Sequence, residues 1–259
     1  MNKQTENPSK GFVVVATKAK QFLIGAENVC QSILDHYEDA KVTLFCEQQW
    51  IDDPANEMYF VDFDQVIGTP GNHTREKMWG MANSPYDLTF YLDADVEIAH
   101  SDIKDSFDRL DGHDMVFVEL KRETKGHFAE WDWGNGKIDH LTHCGGICLY
   151  DKRNPLVVDF MNDWYYNYKD TLDNKFKPKE YEEVPDSFKQ WDQLTLWYQL
   201  WHDPKYKSIK WKYFEDNYRW NYYTSFGFNK DGTHNYDVVD PVIIHYSSWM
   251  DKSGSKGFL

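Results

Sequence analysis

Leu88-Thr89-Phe90-Tyr91-Leu92-Asp93-Ala94-Asp95-Val96-Glu97-Ile98 is an apolar, β-prone run that breaks abruptly into acid and then resumes. Its first five residues read as a strand buried on both faces, the habit of a parallel sheet. Two carboxylates at i and i+2 leave its end. In extended chain they would point the same way, and hard oxygen ligands at that spacing suit Mg²⁺ or Mn²⁺ bridging phosphates. A strand-terminal turn, where Asp is common, is the plainer reading of the same residues. Two like charges flanked by apolar chain are costly unless a cation sits between them, which favours the metal.

The neighbouring segments repeat a strand–helix alternation. Phe12–Ala16 and Val42–Cys46 are short buried-strand candidates, and Tyr59–Phe63 with Val66 and Ile67 is a weaker third. Val29, Ile33, Leu34 and Tyr37 fall on helical spacing over 26–37, and a second helix is expected over 74–82, stopped by Ser84-Pro85. Further strands are expected at 115–120, 146–150 and 242–246, with helices over 155–169 and over 188–202, the latter capped by Ser187. Residues 175–184 read as a charged loop. The fold class is therefore α/β, a mainly parallel central sheet flanked by helices, in one domain over 1–259. Ligands of such sheets bind beyond the carboxyl ends of the strands, which singles out Ala16, Thr17 and Lys18 after the first strand.

The chain has 259 residues with 28 basic and 43 acidic side chains, a net charge of −15. That balance argues against broad binding to duplex DNA. No apolar run approaches the roughly 20 residues of a membrane span, and no signal-peptide pattern opens the chain, so a cytoplasmic protein without a span is expected. Cys30, Cys46, Cys144 and Cys148 lack the spacing of a disulfide framework and are expected as reduced thiols; a zinc site with His140 and His143 is the lesser alternative. Aromatic residues reach 17%, and nine of the 11 Trp lie after residue 130.

Four motifs in order along the chain resemble the GT-A glycosyltransferases, especially family 8, the glycogenin and bacterial galactosyltransferase group. They are REKMWGMANSPYDLTFYLDADVEI (75–98), GGICLYDK (145–152), Trp191-Asp192-Gln193 and VIIHY (242–246). The resemblance implies a GT-A domain with a nucleotide-sugar-binding half over about 11–100 and an acceptor-side half over about 121–259. Asp93, Asp95 and His245 would hold Mn²⁺ or Mg²⁺. Ala16, Thr17, Lys18, Lys77, Asp93, Ala94 and Lys252 would bind the nucleotide diphosphate sugar, Lys77 by touching its phosphates or a site carboxylate. Asp192 and Gln193 would lie beside the anomeric carbon in a transfer that retains configuration. The implied donor is a UDP-sugar and the acceptor a hydroxyl of a glycan, a protein or another molecule.

Identities to the family between these motifs are sparse, and two departures fall at expected site positions. The tail SSWMDKSGSKGF lacks the family's Gly-x-x-Lys-Pro-Trp, leaving Lys252, or else Lys256, as the phosphate clamp. Cys144 stands where the family more often has Asn. Trp131, Asp132 and Trp133 offer flat faces and a carboxylate to an acceptor sugar. The stripe Trp191, Trp197, Trp201 follows helix spacing and reads as core. Lysines interleaved with aromatics over 205–223 could stack single-stranded nucleic acid, a lesser alternative for the acceptor. A sugar-phosphate nucleotidyltransferase and a non-catalytic carbohydrate-binding protein are the rival functions. The first is disfavoured by a loop after the first strand holding only one Gly, the second by the set Asp93, Asp95 and His245.

Overall fold

The computed structural model describes residues 7–119, 143–182, 184, 189, 191–223 and 240–246, with the backbone alone at 143. Ser187, Lys252, Lys256, His140 and the trio Trp131, Asp132 and Trp133 lie outside these residues.

Seven strands make the main sheet: β1 (Lys10–Ala16), β2 (Val42–Glu47), β3 (Gln65–Thr69), β4 (Leu88–Leu92), β6 (Met115–Glu119), β7 (His143–Asp151) and β8 (Trp211–Tyr213). Their order is β3-β2-β1-β4-β7-β6-β8, and only β7 runs against the others. The chain moves outward from β1 through β2 to β3 and then returns to pair β4 on the other side of β1. This reversal opens a crevice at the carboxyl ends of β1 and β4, the position at which α/β sheets bind ligands.

Period-two alternation divides the core. Phe12, Val14, Leu44, Phe90 and Leu92 face one side, with Leu23, Val29 and Ile33 of α1 (Lys20–His36) packed on them. Val13, Val15, Phe45 and Tyr91 face the other, under α3 (Glu76–Ala82) and α4 (Pro155–Leu172). Both clusters are fully or almost fully buried, so the strands are unbroken apolar runs rather than alternating ones.

Several boundaries differ from the sequence reading. The third strand is Gln65–Thr69, while 54–59 is a 3-10 helix. Pro54 opens that turn and the Asp53 carboxylate accepts the Ala55 N–H at 3.0 Å, so local capping overrides the apolar residues that follow. Between β2 and this turn lies the single-turn helix α2 (Gln48–Ile51). The helix expected from 188 is α5 (Asp192–Trp201), with Trp191 at its N-cap. Of the tryptophan stripe Trp197 is buried, whereas Trp201 is 38% exposed and packs edge-on against Trp211 at 5.4 Å. In the interleaved stretch Tyr206, Phe214 and Trp220 are buried, so their faces belong to the core and not to a base-stacking platform. None of the four cysteines is in a disulfide, and all are buried. No helix among the described residues is long and apolar enough to cross a membrane.

A second, three-stranded sheet matters more for the site. It has the order β5-β10-β9, from β5 (Val96–Ile98), β9 (Tyr222–Tyr223) and β10 (Ile243–His245). Helix α6 (Asn217–Trp220) immediately precedes β9.

Candidate active site

The carboxylates of Asp93 and Asp95 flank a turn between β4 and β5, so the turn, not extended chain, brings them to one place. The small sheet supplies the third member. Pairing of β10 with β5 sets His245 opposite Val96, and the Tyr246 N–H donates to the Asp95 carbonyl at 2.8 Å. One ligand atom from each of Asp93, Asp95 and His245 then lies within 4.8 Å of the others.

His245 is held in one orientation. Its Nδ1 lies 2.9 Å from Oδ1 of the buried Asn221, and an amide oxygen only accepts, so Nδ1 carries a proton. Nε2 faces Asp95 Oδ1, 3.3 Å away. Orientation of an imidazole through its second nitrogen is the usual support of a metal-binding histidine. Burial alone would raise the Asp95 carboxyl, but His245 beside it, with help from Lys77, holds it below its ordinary value.

Asp93 is fixed from two sides. The Tyr91 hydroxyl donates to Oδ1 at 2.5 Å, and Lys77 Nζ lies 3.4 Å from both oxygens. Burial, and then Asp93 itself, push the Tyr91 phenol well above its ordinary value, so it remains a donor. Lys77 also reaches Asp192 Oδ2 at 3.1 Å, while Arg75 Nε stands 3.3 Å from Asp192 Oδ1. Asp192 is fully buried; burial works against its charge, but Lys77 and Arg75 outweigh it and keep the carboxyl below its usual range. Burial likewise works against the Lys77 ammonium, and Asp192 with Asp93 overrides it.

Room for this cluster is made by β7. Asp93 N–H donates to the Gly146 carbonyl at 2.8 Å, and β7 shifts register against β6 between Phe117 and Val118, next to Gly145-Gly146. A Cβ on Gly146 would stand 2.3 Å from Asp93 Oδ2, and one on Gly145 would stand 2.8 Å from Asp192 Oδ2. The glycine pair and the irregularity let backbone approach carboxylate, as bulges beside functional sites do.

The remaining residues singled out in the sequence fall around the same crevice. Ala16 ends β1 and Thr17 is buried, its hydroxyl donating to the His73 carbonyl at 2.8 Å. Lys18 sits in the left-handed region at φ 79°, its N–H donating to Glu47 Oε1 at 2.5 Å. Ala94 is buried between the two aspartates. Gln193 follows Asp192 in the first turn of α5, and its Oε1 is buried with no hydrogen-bond partner among the described residues. Lys252 lies outside those residues. Sequence reasoning passed over Arg75, Tyr91 and Asn221. Arg75 stands two residues from Lys77 and could have been noticed, whereas nothing local marks Asn221 as the partner of His245.

Among the described residues three carboxylates thus meet two side-chain cations and an imidazole, a set short of positive charge. Among the described residues Asp95 Oδ1 is buried with no hydrogen bond of good geometry, only the His245 contact. Two carboxylates and one nitrogen with an unsatisfied oxygen fit Mn²⁺ or Mg²⁺, each of which takes oxygen-rich ligand sets.

No protein-family model and no curated protein matches the sequence. Solved structures do match. The bifunctional glycosyltransferase WbbM is 11% identical with a TM-score of 0.55, over 95% of this chain and 47% of that one. The glycosyltransferase GlyE of Streptococcus pneumoniae TIGR4 is 18% identical with a TM-score of 0.53, over 92% of this chain and 55% of that one. The galactosyltransferase LgtC, solved with donor and acceptor sugar analogues, is 15% identical with a TM-score of 0.51, over 92% of this chain and 87% of that one. This chain thus spans about half the length of the first two. Sheet order, crevice and these likenesses agree: the chain has the fold of the GT-A glycosyltransferases.

Proposed function

We propose that the protein is a metal-dependent glycosyltransferase that moves a sugar from a nucleotide diphosphate sugar, a UDP-sugar, to a hydroxyl acceptor with retention of configuration. The observation that carries this reading is the meeting of Asp93, Asp95 and His245 within 4.8 Å, beside the cation-bound Asp192 and the neighbouring Gln193. Those three side chains would hold Mn²⁺ or Mg²⁺. When bound, such an ion supplies a Lewis acid that neutralises charge on a departing diphosphate.

The chain's own residues do the rest. Ala16, Thr17, Lys18 and Ala94 line the nucleotide end of the crevice, and Lys252 is the candidate phosphate clamp. Lys77 bridges Asp93 and Asp192 and holds them at fixed separation, so the metal-binding carboxylate and the sugar-side carboxylate move as one unit. Asp192 is ion-paired through both oxygens, with Lys77 and Arg75. Gln193 has no such cation beside its buried Oε1 among the described residues, so it is the member of the pair we assign to the sugar; a buried unmet acceptor costs about 1–3 kcal/mol, which a ligand hydroxyl would relieve. LgtC has also been solved as an active-site glutamine-to-glutamate mutant, and an active-site glutamine is the role proposed for Gln193. The acceptor would be bound by the half beyond residue 121, and a cytoplasmic location accords with the charge and reduced thiols.

The test is donor hydrolysis. Incubation with a panel of nucleotide sugars and Mn²⁺ should release nucleoside diphosphate from at least one donor, and chelation should stop it. Release of pyrophosphate from a nucleoside triphosphate and a sugar phosphate would favour nucleotidyl transfer instead. No release and no metal-dependent nucleotide binding would exclude both.

A further inference from the structure

Four non-glycine residues among those described have a positive φ. Asp111, Asn174 and Asp240 are of the types that enter the left-handed region most readily, since a short polar side chain can bond nearby backbone. Lys18, at φ 79°, has no such side chain. It stands two residues beyond β1, at the carboxyl end where the crevice opens. The group that holds it comes from the neighbouring strand. Glu47 is the last residue of β2 and is 5% exposed. Its Oε1 accepts the Lys18 N–H at 2.5 Å, and its Oε2 accepts from Gln49 Nε2 at 2.5 Å. Glu47 also occupies the N-cap position of α2, yet its side chain makes no capping bond there, so the helix does not account for the carboxylate. A buried carboxylate is costly unless its oxygens are met, and a backbone N–H donating to a carboxylate is one of the stronger hydrogen bonds. Thr17 is pinned as well, its hydroxyl donating to the His73 carbonyl at 2.8 Å. Both residues of the turn are thus fixed, and backbone strain persists where the surroundings over-determine it, above all at ligand-binding sites.

We propose that Glu47 is a positioning residue of the nucleotide subsite: it holds Lys18 at positive φ, so that the Thr17–Lys18 turn is shaped before the nucleotide arrives. The proposal rests on the reading that Ala16, Thr17 and Lys18 meet the nucleotide, and it adds the residue that sets their backbone. Glu47 itself acts through Lys18 and not on the donor. Without its carboxylate the Lys18 backbone relaxes to the negative φ that a lysine prefers. Nucleotide then binds only the fraction of molecules that keep the turn in its present form, and the apparent affinity falls by that fraction. A glycine at position 18 changes the outcome, because it takes either sign of φ about equally and needs no clamp. Residues 18 and 47 meet only because β2 lies beside β1 in the sheet.

The probe is UDP, titrated calorimetrically into the full chain with saturating Mn²⁺. Glu47→Leu, or Glu47→Ala should the first impair folding, is expected to weaken UDP binding by about tenfold or more, with Mn²⁺ affinity measured alone within about twofold of the parent. Glu47→Gln keeps an oxygen for the Lys18 N–H and should stay within about threefold. The deciding arm is the double variant: adding Glu47→Leu to Lys18→Gly should cost no more than about threefold relative to Lys18→Gly alone. A purely structural role would give the same loss in both backgrounds, and that result, or full UDP affinity in Glu47→Leu itself, would overturn the proposal. The clamp is also read without nucleotide. Hydrogen exchange at the Lys18 amide should be about tenfold faster or more in Glu47→Leu and close to the parent rate in Glu47→Gln. Unaltered exchange in Glu47→Leu would overturn the role of Glu47 and leave the glycosyltransferase reading standing. No UDP binding by the parent chain with Mn²⁺ would overturn the nucleotide reading and with it this subsite, even where the exchange rates are as expected.

Discussion

Gly146→Ala places one methyl group against the centre of the site, and its effect can be worked from three distances. The new Cβ would stand 2.3 Å from Asp93 Oδ2, 2.9 Å from its Cγ and 3.3 Å from His245 Cε1. To reach ordinary contact near 3.4 Å the oxygen must retreat by about 1.1 Å. Asp93 can turn about its own side chain, so the cost to stability sits near the lower end for overpacking, about 1 kcal/mol. At about 2–4 °C per kcal/mol, the melting temperature should fall only a few degrees. The site has less freedom. The retreat pulls Asp93 from the Tyr91 hydroxyl at 2.5 Å and from its shared position with Asp95 and His245. A misplacement of about 1 Å costs on the order of 100-fold in function, and Mn²⁺ affinity should drop by that order. Gly145→Ala is the control, because its Cβ presses on Asp192 Oδ2 at 2.8 Å rather than on the metal cluster. Calorimetric Mn²⁺ titration with thermal unfolding of both variants is the assay. Mn²⁺ affinity within twofold of the parent in Gly146→Ala would refute the reasoning, since the carboxylate would then have moved without the site noticing.

Other expectations follow from the same geometry. Lys77→Met removes the cation shared by Asp93 and Asp192; breaking a buried pair costs about 3–5 kcal/mol, with Arg75 keeping the loss near the lower figure, and a loss below about 1 kcal/mol in urea unfolding would contradict the pairing. Its pH profile has a definite sign. The folded Asp192 carboxyl lies below its ordinary value, so its contribution is present above about pH 4 and is lost as pH falls through the folded value. The acid limb of melting temperature against pH should therefore be shallower in Lys77→Met, and an unchanged limb would speak against the assignment. Asn221→Ala frees the His245 ring and should weaken Mn²⁺ binding by about 10–100-fold, with Asn221→Asp restoring most of it; equal loss in both would point to general disruption. His245→Ala should weaken metal binding more than it lowers the melting temperature, and the opposite ranking would make His245 a packing residue.

The parts of the fold that were legible in the sequence are those written locally. Phe12–Ala16, Val42–Cys46 and Leu88–Leu92 are buried on both faces, and such strands are visible as continuous apolar runs. Gln65–Thr69 is the edge strand of the sheet and only partly buried, so its pattern was weaker than that of the apolar residues before it. The start of α5 was misplaced because Ser187 offered a cap by composition alone, while the helix begins at Asp192. In the site, Asp93 and Asp95 were readable from spacing and His245 from resemblance. What could not be read is long-range: Arg75 meeting Asp192 across 117 positions, Asn221 orienting His245, and the shift beside Gly145-Gly146 that makes space for two carboxylates. Each depends on sheet order, and no local window of sequence carries it.

The central claim is that Asp93, Asp95 and His245 together hold the divalent ion that meets the nucleotide. Crystals grown with Mn²⁺ and UDP, measured near the manganese absorption edge, test it directly. One anomalous peak bonded to Asp93, Asp95, His245 Nε2 and the diphosphate is expected, and its disappearance in Asp95→Asn. A peak elsewhere, or nucleotide bound in the crevice with no ion beside these three residues, would contradict it.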